Sequence, residues 1–265
     1  MRAVAVAIEV ARRDGRTLPA PALGRPLTLP EAYAVQRLRT SERTGRGERV
    51  VGWKLGYTSA AMRAQMGIDS PNHGPLTDAM LRDSGACVPD SAVQPRVEPE
   101  VALVLGRDLP GPATPEQAAA AVLRARAALE VVDSVWQDYR FTLEDNTADG
   151  SSAAYVVLGG ELSTEGLDRV EAVLTRNGEE AGSGRGSDVM GHPLAALAWL
   201  AGALAEQGVV LRAGDVVITG GLTAAVPLEP GDGVRARIGS ATVTVRRDPV
   251  AHRSITDPVP EEETT

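Results

Sequence analysis

In 265 residues the chain has one cysteine, one phenylalanine, three histidines and a single lysine. The lone Cys87 excludes an intramolecular disulfide and a cysteine-built metal cage. No run approaches the roughly 20 apolar residues of a membrane span. A net charge of −8 leaves no basic excess to recruit nucleic acid or an anionic membrane. The apolar start, "MRAVAVAIEVARRDGRTLPAP", is interrupted by Glu9 and shows no small-residue cleavage site, so it reads as an amphipathic helix rather than a signal peptide. The expected compartment is the cytoplasm. A hydrophobic share of 43% over this length builds a real core, in one large domain or two modest ones.

Lysine is the sharper scarcity. Of the 27 Lys and Arg residues only Lys54 is lysine. Arginine stays protonated at any working pH, whereas a partly buried lysine can exchange its proton and serve in acid–base chemistry. A leftover surface lysine is the plain alternative. The setting "VGWKLGYTS", apolar and flanked by glycine, reads as a strand and favours the chemical role.

Along the chain, residues 1 to about 48 read as two helices separated by the stretch from Thr17 to Pro30, the second capped by Thr28 with Pro30 and Glu31 in its first turn. "VVGWKLGYTS" is a strand, "SAAMRAQMG" a short helix between Ser59 and Gly67, and "IDSPNHGPLTD" a loop. "DLPGPATPEQAAAAVLRARAALE" reads as a helix with Thr114 as cap, Pro115 at its first position and Gln117 closing a capping box. "LEVVDS" returns as a strand, and the second half is mostly strands and hairpins around one apolar helix, "PLAALAWLAGALAEQG". Strands and helices do not alternate as a doubly wound fold requires, so the expected class is α+β. The organisation expected is a helical region with the first active-site strand and loop (1–90), a metal-binding catalytic region (91–248) and a disordered acidic tail (249–265).

"RVEPEVALVLG" (96–106) places Glu98 and Glu100 one residue apart at the head of an apolar strand, hence on one face. Such a pair needs water, an arginine or a cation to neutralise it. Pro99 between them is compatible with a solvated pair on an edge strand. Glu130, in "AALEVVDS", reads as the head of another strand and supplies a third carboxylate. Without a His or Cys cluster the set is oxygen-only, which suits Mg²⁺ or Mn²⁺. His73 lies between a loop role and a substrate-facing one, His192 reads as a helix cap, and Trp53, Trp136 and Trp199 as core or interface residues. "GSGRGSD" from Gly182 precedes neither a Walker lysine nor a dinucleotide-binding unit.

In order, "GWKLGYTS", "QMGIDSPNHGPLTDAM", "QPRVEPEVALVLGRDLPGP", "ALEVVDS", "TLEDNTADGSS", "GHPLAALAWLA" and "LRAGDVVITGGLTAAVP" resemble the hydratase/decarboxylase branch of the fumarylacetoacetate hydrolase superfamily, over about residues 30 to 247. The resemblance implies a mixed β-roll decorated by N-terminal helices. It implies that Glu98, Glu100 and Glu130 bind one Mg²⁺ or Mn²⁺, that Lys54 and Asp78 lie in the active site, and that Ser152 lies near the substrate, with His73 as a further substrate-binding candidate. One departure stands out: the branch usually has Asn where this chain has Gly150, which removes an amide expected to make a polar contact.

The same resemblance implies a lyase acting on a 2-oxo or 2-hydroxy unsaturated acid through a metal-stabilised enolate. The "GPLTDAM" and "FTLED" stretches lean toward decarboxylation of 2-oxo-3-hexenedioate (4-oxalocrotonate) in meta-cleavage breakdown of aromatics. Hydration of 2-hydroxypenta-2,4-dienoate, or a recruited biosynthetic role on another 2-oxo or 1,3-dicarbonyl substrate, remains open. A homo-oligomer and a pathway partner enzyme are expected with it. An acylpyruvate hydrolase would need a His–Glu pair in the N-terminal part, and residues 1 to 72 contain no His. A non-catalytic member could have lost Lys54 or a glutamate, and this chain keeps all four.

Overall fold

The computed structural model describes residues 1–22, 24–60, 63–64 and 67–249. The tail beyond 249, with His252, and part of the helix expected between Ser59 and Gly67 lie outside the described residues.

Two helices open the chain, the first marked by its apolar periodicity and the second by its cap. Helix α1 (Arg2–Arg13) buries Val4, Ala5, Ile8 and Ala11, the one-sided stripe of an amphipathic helix. In α2 (Leu29–Gly45), the Thr28 hydroxyl accepts from the Glu31 N–H while the Glu31 carboxylate accepts from the Thr28 N–H. The two helices share an apolar cluster with Val135, Trp136 and Ala148.

The body is two sheets. In chain order its strands are β1 (Val50–Gly56), β2 (Asn72–Thr77), β3 (Leu81–Asp83), β4 (Ala86–Val88), β5 (Arg96–Leu105), β6 (Val122–Val132) and β7 (Ala153–Leu162). Then come β8 (Glu171–Arg176), β9 (Glu179–Arg185), β10 (Val216–Ile218), β11 (Val226–Pro227), β12 (Gly233–Ile238) and β13 (Ala241–Arg247). Among the described residues, the eight-stranded sheet runs β2-β1-β10-β5-β6-β7-β3 with β11 also on β5, and the five-stranded sheet runs β4-β13-β12-β8-β9. The expected α+β mixed roll is what forms.

The large sheet is apolar on both faces, for different reasons. Val101, Leu103, Ala127, Leu129 and Val131 point into the main core with Leu174, Val234, Ala236 and Val243 of the second sheet. Ala102, Ala128 and Ile218 occupy the other face with Leu76, Met80 and Val156. By the period of two, Glu98, Glu100 and Glu130 share that second face. The helix α5 (Pro193–Ala205) covers the main core through Ala196, Leu197, Leu200, Ala201 and Leu204. The segment Gly186–Ala205 containing it is long and apolar enough, by length and composition, to cross a membrane. In this molecule that apolar character is spent on the protein's own core.

Two elements differ from the sequence reading. The helix after Thr114, α3 (Pro115–Ala121), stops after seven residues, and Val122–Val132 is strand. Good helix formers lose here to pairing with β5 on one side and β7 on the other. The stretch read as a loop contains β2, an edge strand on β1. Strand β5 is central rather than an edge, and Pro99 fits it because β10 and β11 leave a gap there, where the Pro99 carbonyl accepts from Leu222 N–H at 2.8 Å.

Candidate metal centre and active site

Glu98 stands directly opposite Glu130 in the antiparallel β5–β6 register, and Glu100 follows on the same face. Glu130 lies near the end of its strand, not at its head. The antiparallel direction is what brings it beside the start of β5. One carboxylate oxygen from each glutamate lies within 4.8 Å of the others. Glu100 and Glu130 are fully buried, and Glu98 is half-buried at the open end.

The cluster is under-satisfied. Gly220 N–H donates to Glu100 Oε2 at 2.6 Å, but Glu100 Oε1 and both Glu130 oxygens have no hydrogen-bond donor. Burial and the Glu130 charge push the Glu98 carboxyl up to about 7, with Lys54 opposing. Burial, then Glu130 and Glu98, raise Glu100 well above the carboxylate range. Undonated buried oxygens from an all-carboxylate set fit a hard divalent cation, whose charge would compensate them. Gly221 makes room for the cluster: a Cβ there would run into Glu98 Oε2.

Lys54 enters from β1, which pairs with β10 and places its side chain on the carboxylate face. Its Nζ sits 3.0 Å from Glu130 Oε2, an ion-pair distance without hydrogen-bond alignment, and donates to Ser151 O at 2.9 Å and Ser151 Oγ at 3.2 Å. Burial acts to lower its pKa. Glu130, Glu98 and Glu100 outweigh that and hold the ammonium above its usual range.

Ser151 follows the short helix α4 (Leu143–Ala148), whose Thr142 cap and Asp145 form another capping box. The Ser151 hydroxyl donates to Asn72 Oδ1 at 2.9 Å. Asn72 Nδ2 donates to Asn146 Oδ1, and Asn146 Nδ2 to Ser152 Oγ, each at 2.9 Å. Ser151, Asn146 and Ser152 border a cavity of about 290 Å³ that is also lined by Lys54, Arg96, Glu98 and Tyr139. Four residues on its wall, Tyr57, Tyr139, Ser151 and Ser152, have φ of +57° to +58°, a left-handed backbone that these side chains rarely adopt. Such strain collects where a site is rigidly imposed by its surroundings.

Three sequence expectations change. Asp78 lies outside the site: it accepts from Arg49 N and Nε at 3.0 Å each, on the surface. In the β1–β2 register Lys54 faces Gly74, so Asp78 is four residues farther along, roughly 13 Å at about 3.3 Å per residue. His73 faces Leu55 in that register and therefore the opposite side of the sheet from Lys54. It stacks on Tyr33 at 4.7 Å and meets Trp53 edge-on at 5.5 Å, and burial pushes it down to about 4, so it packs there as a neutral ring. Gly150, at φ +75°, is not on the cavity wall. A Cβ there would face Arg39 Nη1 at 3.7 Å, so the Asn-to-Gly departure touches the backbone of the turn rather than the cavity.

Other site groups were not singled out. Asn72 and Ser151 follow from alternation once β2 is known to be a strand and the turn's register is fixed, and Asn146 from its place on α4. Arg96, left undecided by the sequence, holds its guanidinium 4.3 Å above the Tyr139 ring at the outer end of the row Arg96, Glu98, Glu100. That guanidinium makes no ion pair or side-chain hydrogen bond among the described residues.

A two-sheet roll with a cluster of three carboxylates on adjacent central strands defines the class. Residues 50–248 match the family described as fumarylacetoacetate (FAA) hydrolase C-terminal, and the chain belongs to that family. It is 36% identical over 251 residues to 4-oxalocrotonate decarboxylase of Pseudomonas sp. (strain CF600), covering 92% of this chain and 95% of that one. It is 37% identical over 230 residues to 2-hydroxyhexa-2,4-dienoate hydratase of Comamonas testosteroni, covering 84% and 87%. The structure of 4-oxalocrotonate decarboxylase from Pseudomonas putida G7 complexed with magnesium and adipate superposes with a TM-score of 0.88 at 34% identity, covering 92% of this chain and 96% of that one.

Proposed function

We propose that the protein is a divalent-metal-dependent lyase that decarboxylates a six-carbon unsaturated 2-oxo diacid, 2-oxo-3-hexenedioate. Glu98, Glu100 and Glu130 would hold Mg²⁺ or Mn²⁺, which would supply Lewis-acid charge to a bound 2-oxo acid. The single observation that carries decarboxylation is Arg96, an uncommitted guanidinium at the outer end of the acid row, suited to a second carboxylate. When the bond to that carboxylate breaks, CO₂ leaves and the electron pair runs through the double bond to the former keto oxygen. That oxygen then takes a proton, giving 2-hydroxypenta-2,4-dienoate, and Lys54 is the donor. Ser151 orients the ammonium, and Asn146 and Ser152 furnish polar contacts along the carbon chain. The dicarboxylate adipate in the magnesium-bound relative supports a diacid pocket.

Hydration of 2-hydroxypenta-2,4-dienoate is the second reading, favoured by hydratase relatives of equal similarity. The proposal extends to a homo-oligomer, a pathway partner enzyme and a cytoplasmic location, supported by the family likeness. Incubation with Mg²⁺ and the diacid is expected to release CO₂ and accumulate the dienol, with the mono-acid hydrated slowly or not at all. Arg96→Met is expected to raise KM for the diacid about tenfold or more. Fast hydration of the mono-acid with the diacid untouched makes the protein a hydratase. Inertness toward both, with metal bound, points to a recruited role on another 2-oxo or 1,3-dicarbonyl substrate.

A further inference from the structure

The turn that holds Lys54 is itself held from behind. The Asp149 carboxylate is fully buried, at 0% side-chain exposure. Its Oδ1 accepts from Arg12 Nε at 3.1 Å and Nη2 at 2.7 Å, and Arg39 Nη1 stands 3.4 Å from the same oxygen. Its Oδ2 accepts from Val135 N–H at 3.1 Å. Arg39 Nη1 also donates to Ala148 O at 3.0 Å, and Gln36 Nε2 to Thr147 O at 3.0 Å. Gln36 and Arg39, three residues apart, share one face of α2, while Arg12 comes from α1.

Immediately after Asp149 the backbone passes through Gly150, Ser151 and Ser152 at φ of +75°, +57° and +57°. Two consecutive serines in the left-handed region persist only where the surroundings over-determine them. Ser151 is the residue whose carbonyl and hydroxyl receive the Lys54 ammonium. The chain of contact from α1 and α2 through Asp149 to Lys54 is unbroken.

We propose that Arg12 and Arg39 are positioning residues: the N-terminal helices, which precede the stretch matching the family model, use the buried Asp149 to hold the Gly150–Ser152 turn and, through Ser151, the lysine. The catalytic consequence rests on Lys54 acting in the reaction; the restraint itself does not. Loss of Arg12 leaves Asp149 with Arg39 and the Val135 N–H, so the carboxylate is not stranded and the turn loosens without loss of the fold. Arg12 is 19% exposed, and methionine can replace its stem over the same apolar surface.

The test compares Arg12→Met, Arg39→Met and Arg43→Met in the full-length, Mg²⁺-loaded protein. Arg43 lies on the same helix, pairs with Glu48 at 2.7 Å and reaches Thr77 Oγ1 at 2.9 Å, but does not touch Asp149. Lys54 is the only lysine, so a lysine-selective acylating reagent followed on the peptide containing it reports its restraint without any turnover. Arg12→Met and Arg39→Met are expected to speed acylation of Lys54 at least about tenfold and to lower kcat about ten- to a hundredfold, with KM and bound metal little changed. Arg43→Met is expected to change neither. Should the Arg39 variant fail to fold, the partly exposed Arg12 carries the test, and the isosteric Asp149→Asn repeats it from the other partner. Wild-type acylation rates in the Arg12 and Asp149 variants, or an equal rise in Arg43→Met, would overturn the proposal. Absent turnover in every protein, with Lys54 freed only in the Asp149-linked variants, would sustain the restraint and reject the reaction.

Discussion

Lys54 owes its charge to its neighbours. Burial alone would favour the neutral amine, yet three carboxylates on one side and the Ser151 carbonyl on the other keep it charged, which makes it a proton donor before it is an acceptor. Lys54→Arg keeps the charge but presents a planar fork that does not exchange protons near neutral pH. We expect kcat to fall about a hundredfold or more with the cation still bound. Near-normal turnover in that variant would leave Lys54 a purely electrostatic role. The residue was legible in the sequence because lysine is otherwise absent, and the glutamates because like charges one residue apart on a strand need a reason. Asp78 and His73, both suggested by resemblance, miss the site for two geometric reasons. Asp78 lies four residues beyond the position that faces Lys54, and one step along β2 puts the His73 side chain on the far face of the sheet.

At the scale of elements, the site depends on two strands running in opposite directions. Residues 122–128 read as helix from their alanines, arginines and leucines, and only the stretch from Leu129 as strand. Pairing along both edges makes them a strand, and this sets Glu130 opposite Glu98. No local propensity contains that pairing, so the third carboxylate was readable as a candidate while its neighbourhood was not. The Gly220–Gly221 link between β10 and β11 closes over the cluster, one glycine donating its N–H to Glu100 and the other leaving space for Glu98. Gly221→Ala therefore pushes the Glu98 carboxylate out of place. Its cation affinity, measured by calorimetry, is expected to fall about ten- to a hundredfold, as for groups that orient metal ligands, with the fold retained by circular dichroism. Unchanged affinity would mean that Glu98 is not a ligand.

At the scale of the whole molecule, the large sheet separates two tasks. One face joins the second sheet and α5 in the main core, and the other carries the acids, beside a smaller apolar cluster and closed by the turn that α1 and α2 brace. The class of fold was readable from the balance of strands and helices, and the residues of the second face from alternation. The bracing was not, because Arg12, Arg39 and Asp149 meet across more than a hundred residues of chain. Everything proposed for function requires that Glu98, Glu100 and Glu130 hold a divalent cation together. Titration with Mn²⁺ followed by electron paramagnetic resonance tests this without substrate. One ion per chain is expected to bind near pH 8, more weakly as pH falls through about 7, because a proton on Glu98 competes with the cation. Glu130→Gln is expected to weaken binding at least about a hundredfold. Binding of equal strength in wild type and Glu130→Gln, or none in either, would contradict the account.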